Sequence, residues 1–247
     1  MPRIVLVTGG AQNIGAAITM RFRQAGDTVI CADLNPPQDD SLRFIATDVS
    51  SESSVKALME QVASEFGHLD VLVNNAGISI EASIADTALE DWDRVMAVNV
   101  RSTFLLTKYA LPLMQDNEAK DPAIVNISSI EGLGANPLHS AYAASKAAVA
   151  AFTHNTALEY GEYGIRCNAI APGWINTPFN DQLLAQYPNR DAVDRAIKAL
   201  HPVGRLGTPA DVAETAFWLA SPASGFISGQ EIIVDGGRLA RLPLPAL

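Results

Sequence analysis

The chain has 247 residues, of which 48% are hydrophobic, 18% are charged and 6% are aromatic. This composition is typical of a globular protein with a large aliphatic core and excludes a disordered chain. The formal net charge of −10 opposes binding to phosphate backbones and to anionic lipid surfaces, so we expect no nucleic-acid partner.

The same sequence predicts a cytoplasmic protein with no membrane partner. No apolar run approaches the roughly 18 residues that span a bilayer, and the N-terminal MPRIVLVTGG lacks the length and cleavage site of a signal peptide. Cys31 and Cys167 lie in separate apolar runs and form no disulfide framework, which fits a reducing compartment. Neither the cysteines nor the four histidines have metal-ligand spacing, so we expect no metal site.

Short β-branched runs alternate with longer segments of helical apolar spacing along the chain. Seven runs are predicted strands, namely RIVLV, TVICAD, RFIATD, DVLVNN, AIVNIS, GIRCNAIA and EIIVD. Their hydrophobicity is continuous, as in parallel strands that are covered on both faces. The pattern predicts one α/β domain over residues 1–247, with a doubly wound parallel sheet of seven strands and about six crossover helices.

One segment departs from this rhythm. Residues 174–207 carry three prolines between the sixth strand and the last predicted helix. Long excursions of this kind are more often lids or binding loops than packing elements. We therefore expect a partly helical, substrate-binding segment on the surface.

The stretch LVTGGAQNIGAAI, residues 6–18, passes from a strand through a glycine turn into a helix. This layout exposes backbone N–H groups at the positive end of a helix dipole, where a pyrophosphate can bind. The glycines at 9, 10 and 15 do not have the G-x-G-x-x-G spacing. On this loop alone, a turn that only packs the helix on its strand is an equal alternative.

Asp33 closes the second strand 18 residues after Gly15, near the spacing of a carboxylate that binds an adenosine ribose. Its alternative role is that of a solvated turn residue. A carboxylate there repels a 2′-phosphate, and no arginine or lysine lies nearby to neutralise one, which favours NAD over NADP. Asp48 stands where a third strand would reach the adenine. The uncharged neighbouring positions are Gln12, Asn13 and Leu34.

Tyr142 and Lys146 are four residues apart on a helical pattern and share one face. A free phenol has a pKa of roughly 10, and a nearby ammonium is expected to lower it, which makes the pair a plausible general acid and base. Ser129, at the end of a strand 13 residues earlier, can hydrogen-bond a reacting oxygen. Ser128 is its rival, and a simple surface pair is the alternative reading of the tyrosine and lysine.

Several motifs in order resemble a short-chain dehydrogenase/reductase of the shorter type, over essentially the whole chain. They are TGGAQNIG (8–15), DV (48–49), NNAG (74–77), Asn99, SS (128–129), YAASK (142–146) and PG with a following threonine (172–177). The family pattern usually has glycine where Asn13 stands. Asparagine is the residue other than glycine that most readily adopts a left-handed backbone, so we expect the turn to survive.

This resemblance implies a Rossmann-like sheet of order 3-2-1-4-5-6-7, with the active site beyond the carboxyl ends of the strands. It selects Ser129 over Ser128 and adds Asn99 to Ser129, Tyr142 and Lys146 as the fourth catalytic residue. The implied reaction is hydride transfer between NAD(H) and a secondary alcohol or ketone. The implied cofactor-binding residues are Gly9, Gln12, Asn13, Ile14, Gly15, Asp33, Leu34, Asp48, Val49, Asn75, Ala76, Gly77, Tyr142, Lys146, Pro172, Gly173, Ile175 and Thr177.

The substrate is left open among a small secondary alcohol, a sugar or polyol and a fused-ring hydroxyl compound. Glu131, two residues after Ser129, could contact a polyol, or it could point to solvent or cap a turn. The residues expected to line the substrate pocket are Ser79, Glu131, Asn136, His139, Trp174 and Phe179.

The alanine-rich YAASKAAVAAF and the apolar end RLARLPLPAL are consistent with self-association, and the resemblance suggests a homotetramer. Burial of these alanines inside one monomer is the alternative. Three other functions stay open: a regulatory protein that binds a dinucleotide without turnover, a structural oligomerisation protein, and a nucleotide-sugar epimerase or dehydratase. The intact serine, tyrosine and lysine favour catalysis over the first two.

Overall fold

A computed structural model describes residues 2–115, 121–177 and 189–241 of the chain. Their strands form one parallel sheet in the order β3-β2-β1-β4-β5-β6-β7. The predicted fold class and strand order are confirmed. The strands are β1 Ile4–Thr8, β2 Thr28–Asp33, β3 Arg43–Ala46, β4 Val71–Asn74, β5 Ala123–Ile127, β6 Arg166–Pro172 and β7 Glu231–Val234.

Within the described ranges, seven α-helices accompany the sheet instead of about six. They are α1 Asn13–Gln24, α2 Glu52–Phe66, α3 Leu89–Met96, α4 Ser102–Gln115, α5 Ser140–Tyr160, α6 Arg190–Ala199 and α7 Pro209–Leu219. The difference has two causes. A π-helical turn at Ala97–Arg101 divides the segment after β4 into α3 and α4, and α6 lies inside the 174–207 excursion.

The core has two layers because successive strand residues point to opposite faces of the sheet. Leu6 of β1 packs in one layer, which includes buried residues of α2 and α4 such as Leu58 and Met114. Val5 and Val7 pack in the other layer with α1 and α7. This two-sided burial explains why the strands are continuously hydrophobic.

Local sequence sets the ends of several helices. The Ser51 side chain accepts a hydrogen bond from the Ser54 N–H at the start of α2, and Gly67 ends that helix in a left-handed conformation. Thr208 and Asp211 form a reciprocal capping box at the start of α7. These caps fix where the chain leaves each layer.

The described part of the 174–207 excursion is closed at its base and is partly helical, as expected. The Asn176 N–H donates to the Gly207 carbonyl at 2.7 Å, and the Gly207 N–H donates to the Trp174 carbonyl at 2.9 Å. Trp174 packs with Ile197 of α6 and Leu206 in a small apolar cluster. Residues 178–188, with the predicted pocket residue Phe179, lie outside the described residues.

Among the residues that the structure describes, no helix combines the length and the apolar character needed to cross a bilayer.

Candidate active site

A cleft of about 640 Å³ opens where the strands end. Every residue predicted to bind the cofactor lies in its wall, as do Ser129 and Ser79. Sequence reasoning missed other wall residues, although most of them follow directly on the predicted strand ends or motifs. These additional wall residues are Ala32, Thr47, Ile78, Val98 and Ile127, and Ser128, the predicted rival of Ser129, also lies in the wall.

The glycine loop brings backbone close to backbone at one end of the cleft. Gly9 and Asn13 have φ angles of 61° and 51°, so Asn13 adopts the left-handed conformation expected of it. A Cβ at position 15 would overlap the Gly9 carbonyl oxygen and would lie 2.6 Å from the Asn75 Nδ2. The loop therefore requires glycine at position 15 for space and not for its dihedral angles.

The N-terminus of α1 is available to an anion. Gln12, its N-cap, makes no side-chain hydrogen bond to the first turn, and that turn carries no acidic residue. The uncapped N–H groups lie at the positive end of the helix dipole and border the cleft between Gly9 and Gly15. This end of the cleft fits the pyrophosphate of a dinucleotide.

The NNAG motif braces the same loop from β4. The Asn75 Nδ2 donates to the carbonyl oxygens of Thr8 and Gly9, both at 3.0 Å. The backbone N–H groups of Asn75 and Ala76 donate to the Thr8 hydroxyl at 3.1 and 3.2 Å. Asn75 thus braces the loop through its side chain and also lines the cleft.

The Asp33 carboxylate stands at the end of β2 and is held by backbone donors. Its two oxygens accept hydrogen bonds from the N–H groups of Ala11 at 3.1 Å and Asn35 at 3.2 Å. The next residue, Leu34, is 69% exposed. Within the described residues, Lys146 is the sole cationic residue in the wall, so no arginine or lysine neutralises Asp33 there.

Asp48 lies in the cleft wall, but its carboxylate is engaged in its own turn. One oxygen accepts hydrogen bonds from the Ser50 N–H at 2.9 Å and from the Ser50 hydroxyl at 2.7 Å. The Asp48 N–H donates to the Ser54 hydroxyl at 3.0 Å. The residue therefore fixes the start of α2 beside the cleft.

Tyr142 and Lys146 lie on adjacent turns of α5 at the opposite end of the cleft. The Lys146 Nζ is 5.5 Å from the centre of the tyrosine ring and donates to the Ile127 carbonyl oxygen at 2.7 Å. This contact ties the lysine to the end of β5. The geometry places an ammonium, a phenol and the strand end that bears Ser129 around one volume.

The expectation that Lys146 lowers the pKa of the phenol was wrong for the protein alone. Burial raises the pKa of Tyr142 to about 12, the hydrogen bond with Ser129 lowers it, and the charge of Glu131 raises it. Burial also lowers the pKa of Lys146 to about 8. Desolvation therefore sets the direction of both pKa shifts, and the phenol is protonated at neutral pH.

The two serines have different surroundings. The Ser128 hydroxyl donates to the Lys146 carbonyl oxygen at 3.1 Å, which engages its proton within the fold. The Ser129 hydroxyl accepts the Glu131 N–H at 3.1 Å and interacts with Tyr142. The hydrogen bond with Tyr142 lowers the pKa of the phenol, so Ser129 directs its hydroxyl towards Tyr142 in the cleft, where it can also reach a substrate oxygen.

Asn99 lies in the π-helical turn and not in the cleft wall. Its Oδ1 accepts the Ile78 N–H at 2.8 Å, and its Nδ2 donates to the Ile78 carbonyl and the Ser145 hydroxyl, both at 2.9 Å. A Cβ on Gly77 would lie 3.3 Å from the Asn99 Oδ1 and 3.4 Å from the Lys146 Nζ. Asn99 thus supports the wall from behind, close to the lysine.

The structure does not bring four of the expected substrate residues into the cleft wall. Glu131 and His139 pair with each other at 2.9 Å. Trp174 packs against α6, and Asn136 lies on the partly exposed loop that leads to α5. Among the described residues, no cluster of histidine, cysteine, aspartate or glutamate could hold a metal ion.

Comparisons with known proteins identify the family. A family model described as enoyl-(acyl carrier protein) reductase matches residues 9–238. The chain is 38% identical to a 3-oxoacyl-(acyl-carrier-protein) reductase of Thermotoga maritima, covering 95% of this chain and 97% of that protein. It is 40% identical to a cis-4-hydroxycyclohexanecarboxylate dehydrogenase of Sinomonas cyclohexanicum, covering 96% and 97%.

A solved structure agrees with these relatives. The ligand-free aldohexose dehydrogenase of Thermoplasma acidophilum has a TM-score of 0.94 at 35% identity, covering 100% of this chain and 97% of that chain. The chain belongs to the short-chain dehydrogenase/reductase family, and its relatives are oxidoreductases.

Proposed function

We propose that the protein transfers a hydride between NAD(H) and a secondary alcohol or ketone through Ser129, Tyr142, Lys146 and Asn99. One observation carries this proposal: a single cleft joins the uncapped N-terminus of α1 to the phenol of Tyr142 and the hydroxyl of Ser129. The first end suits a dinucleotide, and the second suits proton transfer to or from a substrate oxygen.

Each residue at the end of the cleft that holds Ser129 and Tyr142 has its own role in the reaction. The Ser129 hydroxyl holds the substrate oxygen, and Tyr142 gives that oxygen a proton in reduction or takes one in oxidation. Lys146 would bind the nicotinamide ribose through its ammonium group, while Asn99 holds the Ile78 backbone beside them. When NAD is bound, its nicotinamide ring supplies the hydride acceptor. Because the phenol is protonated in the protein alone, it is ready to act as the acid in ketone reduction.

NAD is the proposed cofactor on electrostatic grounds. Asp33 would accept hydrogen bonds from the adenosine ribose hydroxyls, and its charge would repel a 2′-phosphate. The described wall carries no cation near Asp33 that could offset this repulsion. The remaining predicted wall residues would bind the rest of the dinucleotide, with Ile175 and Thr177 at the nicotinamide amide.

A small secondary alcohol is the proposed substrate class. Two relatives are named cis-4-hydroxycyclohexanecarboxylate dehydrogenase and cyclopentanol dehydrogenase, and both substrates are cyclic secondary alcohols. The aldohexose dehydrogenase keeps a sugar among the candidates. Ser79, in the wall, and the 174–207 excursion would face this substrate.

We further propose a cytoplasmic homotetramer. Ala144, Ala147 and Ala151 are exposed along α5, which argues against their burial inside one monomer. Exposed Phe104 of α4 and Leu158 of α5 extend this apolar surface. Apolar surface of this kind is typical of an interface between subunits.

A panel of alcohols and ketones assayed with both cofactors tests the function. The panel holds cyclopentanol, hydroxycyclohexanes, aldohexoses, polyols and a 3-oxoacyl thioester, and reduced cofactor is followed by its absorbance. We expect turnover of a cyclic secondary alcohol with NAD. If NAD raises the melting temperature but no compound turns over, the regulatory dinucleotide-binding alternative is favoured.

A further inference from the structure

Glu131 and His139 form a hydrogen-bonded pair beside the proposed catalytic residues. The Glu131 Oε2 lies 2.9 Å from the His139 Nδ1, and the two side chains are 14% and 23% exposed. The Nε2 of the same imidazole lies 3.5 Å from a carboxylate oxygen of Glu81. A pair this close and this shielded from water is stronger than an ordinary surface pair.

The pair joins the two segments that carry Ser129 and Tyr142. Glu131 follows Ser129 in a 3₁₀ turn, and its N–H donates to the serine hydroxyl at 3.1 Å. His139 is the N-cap of α5, and its carbonyl accepts the Ala143 N–H at 2.8 Å. The imidazole ring also meets the Tyr142 ring edge-on, with centroids 6.3 Å apart.

The loop between these segments cannot hold them in place by packing. Residues 133–135, 137 and 138 are exposed. Leu138 has a φ of 69°, a strained conformation for a residue with a side chain of this size. The Leu138 carbonyl accepts the Ala82 N–H at 2.9 Å. This hydrogen bond and the Glu131–His139 pair hold the strained backbone in place.

A second contact joins the 3₁₀ turn to the backbone of α5. A Cβ on Gly132 would lie 3.0 Å from the backbone nitrogen of Ala147, so the turn rests directly on the backbone of α5. This contact fixes the distance between the turn and the helix at one point. The Ser128–Lys146 hydrogen bond fixes it at a second point, and the Glu131–His139 pair fixes it at a third, where the helix begins.

We propose that Glu131 and His139 are a positioning pair, which holds the Ser129 hydroxyl and the Tyr142 phenol in register on one substrate oxygen. This role rests on the proposed oxidoreductase function. In this role the two residues lie beside the catalytic residues and outside the described wall of the cleft.

A double-mutant cycle tests the pair. Glu131→Ala and His139→Ala should each lower kcat about tenfold or more, because a misplacement of about 1 Å can cost 10²-fold. The double variant should lose no more than either single variant, since both changes remove one contact. The Kd for NADH and the melting temperature should change little. Additive losses in kcat would overturn the proposal.

Two further variants separate positioning from general damage. Glu131→Gln keeps an oxygen that can accept the His139 Nδ1–H, so it should restore most of the activity that Glu131→Ala loses. Glu81→Ala removes the longer, 43% exposed contact to the same imidazole and should leave kcat within about twofold. A Glu131→Gln variant as slow as Glu131→Ala would contradict the hydrogen-bonding role.

Titration of the phenol gives a readout that a structural role would not move. The groups that face Tyr142 are Ser129, Glu131, His139 and Lys146, and the negative charge of Glu131 raises the pKa of the phenol. Glu131→Gln should therefore shift the ultraviolet titration of Tyr142 to lower pH, measured against Tyr142→Phe. An unshifted titration would contradict the proximity on which the pair depends.

Crystal structures of the wild type and of Glu131→Ala separate this proposal from the proposed function. We expect the Ser129 Oγ and the Tyr142 Oη to move apart by about 1 Å in the variant. An unchanged separation overturns the positioning role even in an active enzyme. A widened separation in a protein that turns over no compound supports positioning while the proposed function fails.

Discussion

The two walls of the cleft differ in whether backbone or side chains form them. The cofactor wall, which consists of residues 9–15, Asp33 and residues 75–77, is made of strand ends and backbone, braced by hydrogen bonds from Asn75. The substrate wall, which consists of Ser129, Tyr142 and the described excursion residues Ile175 and Thr177, depends on side chains from separate segments. Short motifs specify the backbone of the first wall, which Asn75 braces from β4, whereas the second wall depends on side chains brought together from distant segments.

The largest expected effect comes from removing the chemistry of the substrate wall while the cofactor wall stays intact. Tyr142→Phe should lower kcat by about 10²–10⁴-fold, because the proposed proton carrier is lost. The Kd for NADH, measured by fluorescence titration, should stay near the wild-type value. Tyr163→Phe is the matched control, since Tyr163 is an exposed tyrosine after α5. Near-normal kcat in Tyr142→Phe would remove the residue from the mechanism.

The second prediction changes the cofactor wall at Gly15 and leaves the catalytic residues in place. Gly15→Ala should weaken NADH binding and destabilise the fold by about 1–3 kcal/mol, because the added methyl group overlaps the Gly9 carbonyl oxygen. Calorimetric titration and thermal unfolding measure the two effects. Gly161→Ala is the control, because no described atom lies within 4 Å of a Cβ at that position. Wild-type affinity in Gly15→Ala would show that the loop tolerates separation from β4.

A smaller effect is expected on the preference of the cofactor wall for NAD over NADP. Asp33→Ala should reduce the ratio of kcat/KM with NAD to kcat/KM with NADP about tenfold, which corresponds to about 1.4 kcal/mol. The reason is loss of both the ribose acceptor and the repulsion of a 2′-phosphate. Asp40→Ala changes an exposed carboxylate just beyond the same strand and should leave the ratio unchanged. An unchanged ratio in Asp33→Ala would exclude the residue from cofactor selection.

The smallest expected effect concerns Lys146, which contributes to both walls. Burial lowers its pKa from the ordinary 10.5 to about 8, so between these values the unfolded chain binds more protons there than the folded protein. Stability of the wild type relative to Lys146→Met should therefore rise as pH increases from 8 to 10. Melting temperatures without cofactor measure this difference. A constant difference across that range would mean that Lys146 is not desolvated.

Some features of the two walls could be predicted from the sequence, and others could not. The left-handed Asn13 and the glycine loop follow from short motifs whose geometry depends on neighbouring residues, whereas the strand order was implied by the family resemblance. The pKa of Tyr142 was predicted in the wrong direction, because its dominant cause is burial among residues that are distant in sequence. The role of Asn75 as a brace was likewise missed, since it needs the approach of β1 and β4.

The sequence by itself indicated the seven strands and the phosphate loop, because continuous apolar runs, glycine spacing and helix periodicity act over a few residues, and its family resemblance implied the order of the sheet. Only the tertiary structure decided that Glu131 meets His139 and that Asn99 supports Ile78 from behind the cleft. It also decided that desolvation raises the pKa of the phenol. These outcomes depend on packing between distant segments and on the exclusion of water, which no local pattern encodes.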